Sequence, residues 1–78
     1  MDNKAKIDEI FVSQLEITPE QLPGLKYQSV PLWDSVGHMS LVAALEDAFD
    51  IMLDTEDIID LSSYEKAFEI LEKYGVKA

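Results

Sequence analysis

Hydrophobic residues recur near the start of the chain at intervals of three and four positions, the spacing that places side chains on one face of an α-helix. The first such stripe consists of Ile7, Ile10, Phe11 and Leu15. Asp2 or Asn3 precedes this stripe, and both residue types commonly cap helix N-termini. We therefore predict a first helix that begins after one of these two residues and ends near Glu16.

A second stripe predicts a helix from Ser35 to Phe49, with Asp34 as its N-cap. On a helical wheel, one side of this segment carries the residues that we expect to face the core. These are His38, Leu41, Val42, Leu45, Phe49 and Met52. A single histidine on such a side is more often a packing residue than a catalyst, so we expect His38 to have a structural role.

Two further helices are predicted in the C-terminal part of the chain. A short third helix, capped by Asp54 or Thr55, is predicted by the segment LDTEDIIDL. The fourth helix begins with Ser62 and Glu65 at the spacing of a capping box and stops at Gly75. Its predicted buried stripe is formed by Tyr64, Ala67, Phe68 and Leu71.

The connection between the first two helices, residues 17–34, is named the first loop here. Thr18, Pro19 and Gln21 predict one short helical turn within it, and Pro31 argues against a longer helix. Its hydrophobic residues are Leu22, Leu25, Tyr27, Val30, Leu32 and Trp33. A structureless loop of this length is uncommon in a small domain, so we expect these side chains to pack across the helices.

These elements predict an all-α fold: a small bundle of three to four helices with a long first loop and a short third helix. The chain has no strand-like alternation and no internal repeat. Its 78 residues are enough for one domain, residues 1–78, with a thin hydrophobic core.

Charge narrows the classes of partner. The formal net charge is −10, and residues 34–65 contain nine acidic residues but no lysine or arginine. Such a surface repels nucleic acid and anionic lipid and attracts basic protein surfaces. Acidity also serves solubility alone, which is the simpler explanation of the charge taken by itself.

Other classes of site and location are disfavoured by the composition. The chain has no cysteine, no apolar stretch that would span a membrane and no signal-peptide pattern, so we expect a cytoplasmic protein. The acidic residues 50–60 lack the central glycine and the ligand spacing of an EF-hand loop, so we expect no metal site.

The side of the second helix opposite the core stripe is unusually apolar for a solvated surface. We define the outer strip by its predicted partner-binding residues, Val36, Met39, Ala43, Glu46, Asp47 and Asp50. Isolated surface hydrophobic residues are common and need no functional explanation. An apolar strip edged by acids also suits transient docking of a basic partner.

Ser35 has three possible roles at the start of this helix. It is a cap, a hydrolase nucleophile or an attachment point for a phosphate-linked group. Asp34 and His38 supply the residue types of a catalytic triad, but the G-x-S-x-G motif is absent and His38 is predicted to face the core side. The attachment role fits an exposed hydroxyl beside a docking surface.

The segment DSVGHMSLVAALEDAF resembles the Asp-Ser-Leu region of acyl carrier proteins, and the resemblance extends over nearly the whole chain. It implies that Ser35 carries 4'-phosphopantetheine derived from coenzyme A, with Asp34 as the preceding motif residue. It also implies a carrier that is not itself an enzyme. The implied partners are a phosphopantetheinyl transferase and acyl-loading and acyl-transfer enzymes with basic docking faces, and we expect the carrier to be a monomer.

Several positions differ from the common fatty-acid form of that family. Val36 replaces the usual leucine, Gly37 and His38 stand where an acid and a hydroxyl residue are frequent, and Trp33 precedes the motif. These differences favour a carrier in a specialised lipid, polyketide or polysaccharide-linked pathway. An aminoacyl or peptidyl carrier, and an acidic helical interaction module without a cofactor, remain as alternatives.

Overall fold

The computed structural model of the protein describes residues 2–78. This part of the chain forms four α-helices and one 3₁₀ turn and contains no β-strand, which confirms the predicted all-α bundle. The elements are α1 (Asn3–Leu15), the 3₁₀ turn (Pro19–Gln21), α2 (Ser35–Phe49), α3 (Thr55–Asp60) and α4 (Tyr64–Lys73). Across residues 2–78, no helix has both the length and the apolar character needed to cross a membrane.

Helix α1 begins and ends as its sequence predicts. The Asp2 carboxylate caps it by accepting a hydrogen bond from the Lys4 backbone N–H at 3.2 Å. Glu16 adopts a left-handed conformation with φ of 53° and ends the helix. The buried face of α1 consists of Ile7, Phe11 and Leu15. This face packs against α2, which is its direct neighbour.

Helix α2 also has the predicted bounds, but its core side is shorter than predicted. Leu41, Val42 and Leu45 are buried, and His38 and Phe49 are half-buried. Met52, which we predicted to face the core, is 85% exposed. The helix ends at Phe49 and Asp50 turns into the left-handed region, so the helical spacing no longer determines where residue 52 points.

The first loop is part of the hydrophobic core, as predicted from its apolar residues. Leu22, Leu25, Val30 and Trp33 are buried, and the Trp33 ring packs edge-on against that of Phe11 with centroids 5.7 Å apart. Two members of the predicted set are instead at the surface: Tyr27 is 36% and Leu32 is 41% exposed.

Backbone hydrogen bonds join the first loop to the start of α4, and we name this contact the loop–α4 clasp. The Tyr27 N–H donates to the Ser62 carbonyl at 2.8 Å, and the Tyr64 N–H donates to the Leu25 carbonyl at 2.9 Å. Between them, Lys26 and Ser63 form an isolated antiparallel bridge. The clasp therefore fixes the position of Tyr27 relative to α4.

The N-terminal cap of α4, next to the clasp, differs from the predicted one. The cap is Ser63, whose hydroxyl accepts a hydrogen bond from the Lys66 N–H at 3.0 Å, and not Ser62 as predicted. Glu65 does not complete a capping box either, because its carboxylate accepts from the Gly24 N–H in the first loop at 3.1 Å.

The buried face of α4 is close to the predicted one. Tyr64, Ala67 and Leu71 are buried, Phe68 is half-buried, and Ile70 is an additional buried residue. Gly75 ends the element as predicted, with a φ of +87° that L-amino acids rarely adopt.

Helix α3 is short and begins after Asp54, whose side chain makes no capping hydrogen bond. Its Asp57 is buried and accepts hydrogen bonds from the Lys73 ammonium at 2.6 Å and from the Tyr74 hydroxyl. Polar side chains therefore attach α3 to the end of α4.

Candidate functional site

Ser35 is the first residue of α2, and its side chain is exposed. Asp34 acts as the N-cap: its carboxylate accepts a hydrogen bond from the Gly37 N–H at 2.8 Å. Capping thus occupies Asp34 and leaves the Ser35 hydroxyl available. Within residues 2–78, that hydroxyl has a side-chain contact with the Tyr27 hydroxyl, at 3.4 Å between the oxygens.

Tyr27 reaches Ser35 from the first loop and lies against two other rings. Its ring meets that of His38 edge-on at a centroid distance of 5.5 Å and that of Trp33 at 6.2 Å. These contacts hold an aromatic wall beside the start of α2, with the Tyr27 hydroxyl at its outer end.

His38 connects three elements through both of its ring nitrogens. Trp33 Nε1–H donates to His38 Nδ1 at 2.9 Å, and His38 Nε2 lies 2.7 Å from the Ile58 carbonyl oxygen in α3. Because an indole N–H only donates and a carbonyl only accepts, Nδ1 is the acceptor and Nε2 carries the proton. Neither nitrogen is directed at Ser35, so the residues do not form a nucleophile–base pair.

Gly37 is a close-packed position at the candidate site that the sequence patterns did not identify as such. A Cβ atom added there would lie 1.7 Å from the Leu32 carbonyl oxygen, so the first loop approaches the first turn of α2 too closely for a side chain. The signal in the sequence was a glycine within a helix, which is unfavourable unless close packing requires it.

The outer strip is largely exposed. Val36 is 77% and Met39 is 53% exposed, and Ala43, Asp47 and Asp50 are also at the surface. Glu46 differs from the others: it is half-buried, and its carboxylate accepts a hydrogen bond from the Leu53 N–H at 2.8 Å. One of its oxygens therefore supports the turn after α2.

The charge around this strip is acidic because all six lysines of the sequence lie outside α2 and α3. Three of them form ion pairs elsewhere: Lys4 with Asp8, Lys66 with Asp60, and Lys73 with Asp57. The strip consequently has no cation of its own helix to offset its carboxylates.

Two other features of the surface bear on the chemistry of the site. A shallow cavity of about 220 Å³ lies next to Tyr27. It is lined by Tyr27, His38, Ile59, Leu61 and Ser62. In the part of the chain that the structure describes, no group of three or more histidine or acidic side chains is arranged to hold a metal ion.

Comparison with known proteins supports one family. No family profile matches the chain. The chain is 32% identical over 77 residues to a protein named acyl carrier protein from Syntrophus aciditrophicus (strain SB), a match that covers 97% of this chain and 96% of that protein. Identity at this level over almost the full length of both proteins shows that the chain belongs to the acyl carrier protein family.

Proposed function

We propose that Ser35 is the attachment site of a 4'-phosphopantetheine arm, on which the protein carries acyl or related intermediates as thioesters. The observation that carries the proposal is that Ser35 is an exposed residue at the start of α2 whose hydroxyl is not used for capping, because Asp34 performs that role. When bound, the arm supplies a thiol, a group that this chain lacks because it has no cysteine.

The residues around Ser35 suit a phosphate-linked group. The N-terminus of a helix of this length favours a negative charge through its backbone dipole. The Asp34 carboxylate accepts from the Gly37 N–H, and the Tyr27 hydroxyl, a group able to donate a hydrogen bond, lies 3.4 Å from Ser35 Oγ. A phosphodiester on Ser35 is thus compatible with the groups that surround it.

The protein itself contributes presentation rather than catalysis. We propose that a phosphopantetheinyl transferase attaches the arm and that acyl-loading and acyl-transfer enzymes then dock on the outer strip. Exposed Val36 and Met39 supply apolar contact, and Asp47 and Asp50 attract basic residues of the partner. Tethering raises the effective concentration of the cargo for each enzyme, so brief and weak docking by a monomeric, cytoplasmic carrier is sufficient.

We further propose that the pathway is a specialised one. Two of the differences from the common fatty-acid form support the proposal because each makes a contact with the first loop: Gly37 leaves room for the Leu32 carbonyl, and His38 accepts a hydrogen bond from Trp33. An aminoacyl or peptidyl cargo is the alternative within the same mechanism, and the identity of the loading enzyme distinguishes the two.

Intact-mass measurement tests the proposal directly. The chain is co-expressed with a transferase of broad specificity, and we expect a gain of one phosphopantetheinyl group. Ser35→Ala should abolish the gain, whereas Ser40→Ala, an exposed serine of the same helix, should retain it. An unmodified wild-type chain under conditions that convert a control carrier would contradict the proposal and favour the interaction module without a cofactor.

A further inference from the structure

The Tyr27 hydroxyl occupies a distinct position among the tyrosines of this protein. The hydroxyls of Tyr64 and Tyr74 donate to the carboxylates of Asp8 and Asp57. The Tyr27 hydroxyl instead lies 3.4 Å from Ser35 Oγ, which is longer than the roughly 2.5–3.0 Å of a typical hydrogen bond between two hydroxyls. It therefore holds a position beside Ser35 without an anionic acceptor.

This position is fixed from the backbone to the ring. The loop–α4 clasp holds the Tyr27 backbone through its hydrogen bond to Ser62. The ring rests against Trp33 and His38, which are themselves joined by a 2.9 Å hydrogen bond. Tyr27 as a whole is 36% exposed, so the residue lies at the surface of the protein.

A phosphodiester formed on Ser35 would bond its phosphorus to Oγ. Its two non-bridging oxygens would then lie near Oγ, within reach of the Tyr27 hydroxyl. A hydrogen bond from a hydroxyl to such an anionic oxygen is shorter and stronger than one between neutral hydroxyls. Helix α2 contains no lysine or arginine, and the side-chain donor that the structure places beside Ser35 is the neutral Tyr27 hydroxyl of the first loop.

We infer that Tyr27 is a positioning residue for the arm: its hydroxyl donates to a non-bridging oxygen of the phosphodiester on Ser35. The inference rests on the proposed attachment at Ser35. The contact holds the root of the arm on the side of α2 that faces the first loop.

Holding the root there directs it toward the first loop from a position at the edge of the outer strip. Ser35 and His38 lie on the side of α2 that contacts Tyr27. Val36 lies about 100° further round the helix than Ser35, whereas Met39, one turn later, lies only about 40° from it, on the side away from His38. With the phosphodiester bound to Tyr27, these two exposed residues stay open to a partner while the arm begins beside them.

The test compares Tyr27→Phe with the wild-type chain, each before and after modification by a transferase with coenzyme A. The substitution removes the hydroxyl but retains the ring that packs on Trp33 and His38. In wild-type protein labelled with ¹³C at tyrosine Cζ, modification should shift the Tyr27 signal, while Tyr64 and Tyr74 serve as internal controls. The ³¹P signal of the phosphodiester should differ between wild type and Tyr27→Phe.

Stability supplies a second readout through the same four samples. Tyr27→Phe should raise the equilibrium constant of unfolding in both forms. The factor should be about five times larger for the modified chain than for the unmodified chain, because the charge-assisted hydrogen bond exists only after modification. A packing effect of the substitution would be equal in both forms and would cancel in this comparison.

The outcomes separate this inference from the proposed function. Full modification by mass, with no Tyr27 Cζ shift and no difference in the ³¹P signal, would overturn the role of Tyr27 and leave attachment at Ser35 intact. An unmodified wild-type chain would overturn both. If Tyr27→Phe fails to fold, the labelled wild-type protein still decides through its Cζ signals.

Discussion

Gly37 allows the first loop to touch the first turn of α2. The Leu32 carbonyl oxygen occupies the space where any other residue at position 37 would carry its Cβ atom. This contact sets how the first loop enters the helix. Asp34 and Ser35 lie between its two partners in the sequence, and His38 follows directly after Gly37. The geometry at Ser35 therefore depends on a residue with no side chain.

We expect Gly37→Ala to destabilise the protein by about 1–3 kcal/mol, because the added carbon forces the loop away from the helix. Alanine normally stabilises a helix relative to glycine by about 1 kcal/mol, so the expected sign is reversed. Urea unfolding followed by the fluorescence of Trp33, the one tryptophan of the chain, measures the change. Ser40→Ala, at an exposed position of α2, is the control, and equal or higher stability of Gly37→Ala would contradict the packing argument.

For single residues, sequence patterns gave correct predictions where a property depends on neighbours in the same helical turn. Asp34 caps the helix that follows it, and Ser35 is exposed beside it, because both properties depend on the first turn alone. The reason for Gly37 and the exposure of Met52 were not accessible in the same way. Both depend on where the chain goes outside α2, which helical periodicity does not encode.

Helix α3 is an element that depends on side chains from its neighbours. A helix of six residues is too short to be stable alone. Its Ile58 carbonyl receives the His38 Nε2–H, and its buried Asp57 binds Lys73 and Tyr74. The Lys73 hydrogen bond, followed by that of Tyr74, lowers the pKa of Asp57 below its ordinary value of 3.8.

The lowered pKa of Asp57 predicts a specific dependence of stability on pH. A carboxyl whose pKa is lower in the folded state stabilises the fold above its ordinary pKa and loses this contribution as the pH falls through its folded-state pKa. We expect Asp57→Asn to be less stable at pH 7 and to lose less stability than the wild type as the pH falls below 3.8. Thermal unfolding between pH 7 and pH 2, read by circular dichroism, measures both effects.

Asp47→Asn is the matched control for this prediction, since it removes the same charge at an exposed position. It should destabilise the protein less than Asp57→Asn at pH 7, because Asp47 is exposed. Parallel curves for Asp57→Asn and the wild type would show that the buried carboxylate does not contribute in this way.

Elements were predictable where one segment determines them. The stripes of α1 and α2 gave correct bounds because each helix buries one continuous face. The start of α4 was displaced by one residue, since Ser62 supplies a carbonyl to Tyr27 and Ser63 supplies the cap. The contacts of α3 join residues far apart in the sequence, and no local pattern specifies such pairs.

Across the whole molecule, lysines are distributed unevenly among the helices. Its net charge is −10, and the lysines lie on α1, the first loop, α4 and the C-terminal segment, while α2 and α3 have none. The outer strip therefore presents carboxylates to an approaching protein without a lysine on the same helix to offset them. Such a field affects the rate of encounter more than the lifetime of the complex.

We expect Asp47→Lys to slow modification of Ser35 by about tenfold at low salt, and by less at high salt, because it reverses a charge on the outer strip. Glu69→Lys changes the net charge by the same amount at an exposed position of α4, and it should slow modification much less. The initial rate of modification at two ionic strengths, with circular dichroism to verify folding, measures the difference. Equal rates for the two variants would contradict docking on this strip.

Glu46→Lys is a less informative variant of the same strip. It reverses a charge and also removes the acceptor of the Leu53 N–H, so a slower rate would combine docking with a disturbed turn after α2. Asp47 makes no such contact among the hydrogen bonds of residues 2–78, which is why it is the preferred position.

The loop–α4 clasp has a consequence for the order of events during biosynthesis. Translation yields the N-terminal part first, so a ribosome-bound chain that stops before residue 62 already contains Ser35 but lacks the partner that anchors Tyr27. The surroundings of the serine are completed only when the last helix has emerged. A modifying enzyme that reads these surroundings would act on finished chains and pass over unfinished ones.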